Sequence, residues 1–175
     1  MKVILVGYPG SQHIVPASRY LAKKYLPGFD IHYLNYVGEK DKWSVFVGEY
    51  LLKLTDKFVI FALDDYLING FDKEKFEEAL KLEPCVKLCE STEEEHKGYP
   101  ITTQYTIWNR KELIDLLSQT TTPWDFEMRG SQLFKGKSNL LTCINYYTNS
   151  SLSNRWQGVD WKGVKQEDLE VIQNL

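Results

Sequence analysis

The chain has 175 residues, of which 43% are hydrophobic and 26% charged, with a net charge of −3 at pH 7. That length supports one domain with its own core and needs no disulfide or metal staples. The balance is that of an ordinary globular protein; it does not favour a nucleic-acid partner, and no apolar stretch approaches the length that spans a bilayer.

Residues 2–7, KVILVG, are apolar and predict a buried first strand and not a cleaved leader. GYPGSQH then breaks the run with two glycines and a proline, which marks a loop. It lacks the Gly-Lys-Ser/Thr of a Walker loop and the spacing G-x-G-x-x-G. A helix is predicted over 15–26, with Pro16 in its first turn and an inward stripe of Ile14, Ser18, Leu21, Ala22 and Tyr25. Pro27-Gly28 stops it. Residues 30–36 alternate, with Ile31 and Tyr33 on one face, and predict a second strand. Strand, helix and strand make a βαβ unit with a right-handed crossover.

Asp41 is the expected cap of the next helix, whose stripe is Trp43, Phe46, Val47, Tyr50, Leu51 and Leu54. Residues 57–67, KFVIFALDDYL, follow. Six apolar residues in a row, Phe58 to Leu63, predict a central strand covered on both faces. They end in Asp64 and Asp65. Ligands of open α/β sheets bind just outside the carboxyl ends of the strands. Two adjacent carboxylates there repel each other and suit a hard cation such as Mg²⁺ or Mn²⁺ carrying a phosphate. An Asp-Asp pair also serves as a simple turn or helix cap.

Asp72 should cap a helix running to about residue 82, and 86–89 should form a short strand. The acidic run 90–98, with His96, reads as a mobile loop. Residues 102–108 predict a further strand. Asn109 with Glu112 forms a capping box before Leu113, Ile114, Leu116 and Leu117. TTTPWDFEMRGS then opens another helix, with Thr122 and Asp125 as its box and Pro123 in its first position. Spacing places Trp124, Glu127 and Ser131 on one face of it. One strand is expected over 139–146, a loop over 150–163 that includes Arg155, Trp156, Trp161 and Lys162, and a short helix over 166–175. Cys85, Cys89 and Cys143, an odd count without a CxxC pair, argue against a disulfide framework or structural zinc and point to a reduced, cytoplasmic protein. Five Trp and eleven Tyr exceed what a core of this size needs, and such rings stack on sugars and nucleobases.

Taken in order, LDDY (Asp64, Asp65, Tyr66), the strand with Gln104 and Trp108, and PWDFE (Pro123, Trp124, Phe126, Glu127) followed by Gly130 and Ser131 resemble small bacterial and viral glycosyltransferases of the GT-A fold. The resemblance covers roughly residues 3–135. It departs at Asp125, where Glu is commoner, and in an adjacent acidic pair where Asp-x-Asp is usual, so which aspartate holds metal stays open. The resemblance implies a GT-A-like, Rossmann-like mixed sheet, mostly parallel, with helices on both faces and forming a single domain. It implies a nucleotide-diphosphate sugar donor, a glycan or other hydroxyl acceptor, and Mn²⁺ or Mg²⁺ bridging the diphosphate to Asp65, with Asp64 assisting. Glu127 stands where inverting members keep the general base. Gly7, Tyr8 and Pro9 would lie beside the nucleotide, with the Asp41 region a weaker candidate, and Gln104, Trp108, Trp124 and Ser131 beside the substrates. A non-catalytic nucleotide- or glycan-binding module of the same fold is the main alternative. A receiver domain would keep its acidic pair after the first strand, and a nucleotidyltransferase would carry a Gly-rich Lys/Arg signature near the N-terminus. Neither pattern is present.

Overall fold

The computed structural model describes residues 1–8, 11–82, 85–90, 99–148, 161 and 164–175. Residues 91–98 of the predicted loop 90–98, His96 among them, most of the loop 150–163, and Pro9 lie outside these residues. β1 (Lys2–Val6) pairs in parallel with β2 (Asp30–Leu34) on one side and with β3 (Phe58–Leu63) on the other. β6 (Thr106–Asn109) runs antiparallel between β3 and β5 (Cys85–Lys87), and β7 (Ser138–Leu140) pairs in parallel with β5. The order across the sheet is β2-β1-β3-β6-β5-β7, so five strands share one direction and β6 opposes them. This is the GT-A-like mixed sheet expected from the sequence. Val59 to Ala62 are fully buried, as an apolar run in a doubly covered strand should be.

The connections decide where a site can form. α1 (Val15–Tyr25) carries the chain from β1 outward to β2, and α2 (Trp43–Leu52) carries it back across β1 to β3. Right-handed crossovers in opposite directions put the two helices on opposite faces. They also make the gap between the carboxyl ends of β1 and β3 the topological switch point. On the α2 face, Trp43, Phe61, Trp108 and Phe126 meet with centroids about 6 Å apart, edge to face except for the tilted Phe61–Phe126 pair. α4 (Arg110–Leu117) and α5 (Pro123–Leu133) pack beside α2, whereas α1 packs against α6 (Gln166–Ile172).

Three sequence expectations change. Residues 139–146 are not one strand. β7 follows β5, then the chain leaves the main sheet where Cys143 N and Ile144 N both donate to Leu88 O, at 2.8 and 2.9 Å. It continues as β8 (Ile144–Thr148), antiparallel to β4 (Tyr66–Phe71), a strand the sequence reading did not separate from the acidic turn. The strand predicted over 102–108 begins only at Thr106. Residues 101–105 are buried and bent, outside the regular ladder, although Thr103 O still takes the Leu63 N–H and Tyr105 O the Leu88 N–H, each at 2.9 Å. Asp41 caps nothing with its side chain; it sits in a 3-10 turn (Lys40–Lys42) before α2. Asp72 does cap α3 (Lys73–Ala79), accepting from Lys75 N.

Candidate active site

β1 and β3 run parallel and in register, Val6 opposite Leu63, so the loop after β1 and the acidic pair after β3 leave the sheet side by side. Asp64 N donates to Val6 O at 3.1 Å and Gly7 N to Leu34 O at 2.8 Å, which ties both exits together. Ser11 Oγ donates to Asp64 Oδ2, and its oxygen also accepts from Tyr8 N, each at 3.1 Å. A Cβ at Gly7 would stand 3.0 Å from Asp64 Oδ2 and 3.2 Å from Ser11 Oγ, so the close approach of this loop to Asp64 needs glycine. From the other side the Trp43 indole N–H donates to Gly7 O at 3.2 Å. The Tyr8 hydroxyl donates to Asp65 Oδ2 at 3.0 Å, and the Tyr8 ring meets Trp124 edge to face at 6.1 Å.

Across the gap stands α5. Thr122 caps it, accepting from Asp125 N at 3.0 Å, and Pro123 fills the first helical position. Asp125 reaches back to Thr121 N at 2.9 Å and not to the cap residue itself. This turn presents Trp124, 39% exposed, and Glu127, 5% exposed. Glu127 Oε1 accepts from both Thr103 N and Thr103 Oγ1, each at 2.7 Å. Tyr8, Leu63, Asp65, Tyr66, Thr103, Pro123, Trp124 and Glu127 line one cleft. Two carboxylates, those of Asp65 and Glu127, face into it.

The electrostatics of the pair favour a cation. Burial, and then the charge of Asp65, push the Asp64 carboxyl well above the usual carboxylate range, against the Ser11 hydrogen bond that lowers it. Among the described residues Asp64 Oδ1 is buried with no hydrogen-bond partner. No group of three or more His, Cys, Asp or Glu gathers among the described residues. Among the described residues, Asp64 and Asp65 are the carboxylates that would hold a metal here. Mg²⁺ is commonly held in this way, by one or two carboxylates plus substrate phosphates. The residues present fit such an ion.

The structure thus brings together Tyr8, Asp65, Trp124 and Glu127 in the cleft, with Gly7 and Asp64 directly behind. It does not bring in the other substrate candidates. Trp108 is fully buried against Phe126 and Phe134 and belongs to the core. Its motif spacing is equally that of a strand residue facing the helix layer. Gln104 is buried and faces Cys89, whose Sγ lies 3.9 Å from Oε1. Ser131 Oγ accepts from Ile101 N at 3.2 Å and donates to Ile101 O at 3.3 Å, which fastens α5 to the segment carrying Thr103. The sequence reading missed Thr103 and Trp43. Thr103 carries no signal of its own, because the pattern over 102–108 is that of a strand.

No protein-family model and no curated protein sequence matches the chain. Solved structures do. A197 from STIV superposes with a TM-score of 0.55 at 14% identity over 85% of each chain. HddC from Yersinia pseudotuberculosis does so with 0.52 at 11% identity, over 99% of this chain and 78% of its own. A glycosyltransferase involved in the glycosylation of the major capsid of PBCV-1 is similar at 0.48 and 12% identity, over 99% and 98%. At such identities the likeness is one of fold, and the chain shares its α/β architecture with A197 and HddC.

Proposed function

We propose that the chain is a glycosyltransferase that moves a sugar from a nucleotide-diphosphate sugar to a hydroxyl acceptor, with inversion and with a divalent metal. The observation that carries this reading is the single cleft at the switch point. There a carboxylate from the end of β3 and a carboxylate from α5 meet beside Tyr8 and Trp124. Asp65, with Asp64, would hold the metal. When bound, Mn²⁺ or Mg²⁺ neutralises charge building on the leaving diphosphate.

The chain's own residues then have separate tasks. The loop of Gly7 and Tyr8, braced by Trp43 and Ser11, borders the nucleotide. The half-exposed Trp124 ring offers an apolar wall to a sugar face. Glu127 takes the proton of the acceptor hydroxyl as its oxygen bonds to the anomeric carbon and the bond from that carbon to the diphosphate oxygen breaks. The proton later passes to solvent. General-base help of this kind is typically worth about 10²–10⁴-fold.

A thermal-shift series with UDP-, GDP-, dTDP- and CMP-sugars, each with Mn²⁺, Mg²⁺ or EDTA, tests the reading. Ligand at 100 times its Kd stabilises the native state by about 2.7 kcal/mol, and about 1 kcal/mol moves Tm by about 2–4 °C in a chain of this size. A metal-dependent rise for one nucleotide class is expected. No shift for any sugar nucleotide, with or without metal, contradicts the proposal. A shift with no donor hydrolysis identifies a binding module instead.

A further inference from the structure

Residues 101–105 are buried and bent just before β6, and Thr103 there bonds to two different elements. Its carbonyl accepts from Leu63 N, the last residue of β3 before the acidic pair. Its N–H and its hydroxyl both reach one oxygen, Glu127 Oε1, at 2.7 Å. The Tyr66 hydroxyl lies 3.4 Å from Thr103 Oγ1. A threonine hydroxyl has one proton, and an ionised carboxylate can only accept. The Thr103 proton therefore goes to Glu127, and the Tyr66 phenol is the donor at the long end. The chain Tyr66, Thr103, Glu127 starts one residue from Asp65 and ends on the α5 carboxylate.

We propose that Thr103 is a positioning residue, which fixes the Glu127 carboxylate in register with the strand end that carries Asp65. This rests on the reading of Glu127 as the base. The terminal torsion of a glutamate is soft. Two donors on Oε1 remove that freedom, and they set where Oε2 stands relative to the cleft. The second anchor matters as much: Thr103 O on Leu63 N ties the position of the base to the strand end, so the two halves of the site move together. Small misplacements of a reacting group cost up to about 100-fold in rate.

The test is donor hydrolysis, in which water takes the acceptor's place, using the sugar nucleotide that gives the largest metal-dependent thermal shift. Thr103→Val keeps shape and the backbone N–H but deletes the hydroxyl. It should lower kcat about tenfold or more with the donor KM unchanged. Thr103→Ser, which restores the hydroxyl, should recover the rate. In a Glu127→Gln background Thr103→Val should cost nothing further, because groups acting as one unit are not additive. Thr103→Ala gives the same comparison if the valine variant does not fold. Additive losses in the double variant, or a serine variant as slow as the valine one, overturn the positioning role. Wild-type rates in Glu127→Gln alone overturn the base assignment itself, so the two failures are distinct.

Discussion

At the scale of residues the site sets charge against burial. Asp64 is held in a dry position beside another carboxylate, and its raised pKa means that ionising it weakens the metal-free fold. A carboxyl raised in the folded state contributes stability that is fully present below its unfolded value, near 3.8, and is lost as pH rises through its folded value. Asp64→Asn removes that loss. In EDTA its Tm should exceed wild type at pH 7–8, with the gap closing toward pH 4, and in Mn²⁺ the gain should shrink or reverse. A Tm below wild type across the whole range would contradict the account. The tryptophans divide in the same physical way. Trp108→Ala, in the core, should cost about 3–5 kcal/mol. Trp124→Ala should cost about 1 kcal/mol or less, because its ring is partly in water, while weakening saturation by the acceptor or donor. Denaturant melts and KM values separate the two. The sequence could name both tryptophans but not sort them, since spacing gives a face and not what lies above it.

At the scale of elements, legibility followed locality. β1, α1, β2, α2, β3 and the caps Asp72, Asn109 and Thr122 were all readable, because each is set by residues within one turn or one strand. β4 and β8 were not, because they pair across the long stretch between Phe71 and Ile144, with a register shift between Ile68 and Gly70. The bend at 101–105 was hidden for a related reason. Its backbone bonds go to Leu63 of β3, to Leu88 just past β5 and to a side chain of α5, and nothing in ITTQY signals them. α5 shows what a local element contributes to function. Glu127 sits one turn beyond the cap, so Thr122→Ala should lower stability by about 1 kcal/mol and lower turnover by more than that loss alone produces. Equal stability and activity in Thr122→Ala and wild type, measured by melting and by donor hydrolysis, would remove the cap from the account.

At the scale of the whole molecule, one step in topology organises the rest. The chain goes out from β1 to β2 and returns past β1 to β3, so the two central strands open a crevice at their carboxyl ends. The sequence marked that crevice by its two punctuations, GYPGS after β1 and DDY after β3, and Tyr8 and Ser11 of the first bond to Asp65 and Asp64 of the second. What the sequence could only suggest by resemblance is the opposite wall, where α5 brings in Glu127 from 62 positions along the chain from Asp65. No helix among the described residues is long and apolar enough to cross a membrane, and Cys85, Cys89 and Cys143 are buried free thiols. The central claim is that these two walls form one transfer site, with metal held on one side and proton removal on the other. Turnover of the stabilising sugar nucleotide by wild type, Asp65→Asn and Glu127→Gln, measured side by side with Mn²⁺ and with EDTA, tests it most directly. Wild type should turn over only with metal. Asp65→Asn should lose both turnover and the metal response. Glu127→Gln should still bind donor but run about 10²–10⁴-fold slower. Equal rates in all three proteins, or equal rates with Mn²⁺ and EDTA, would contradict it.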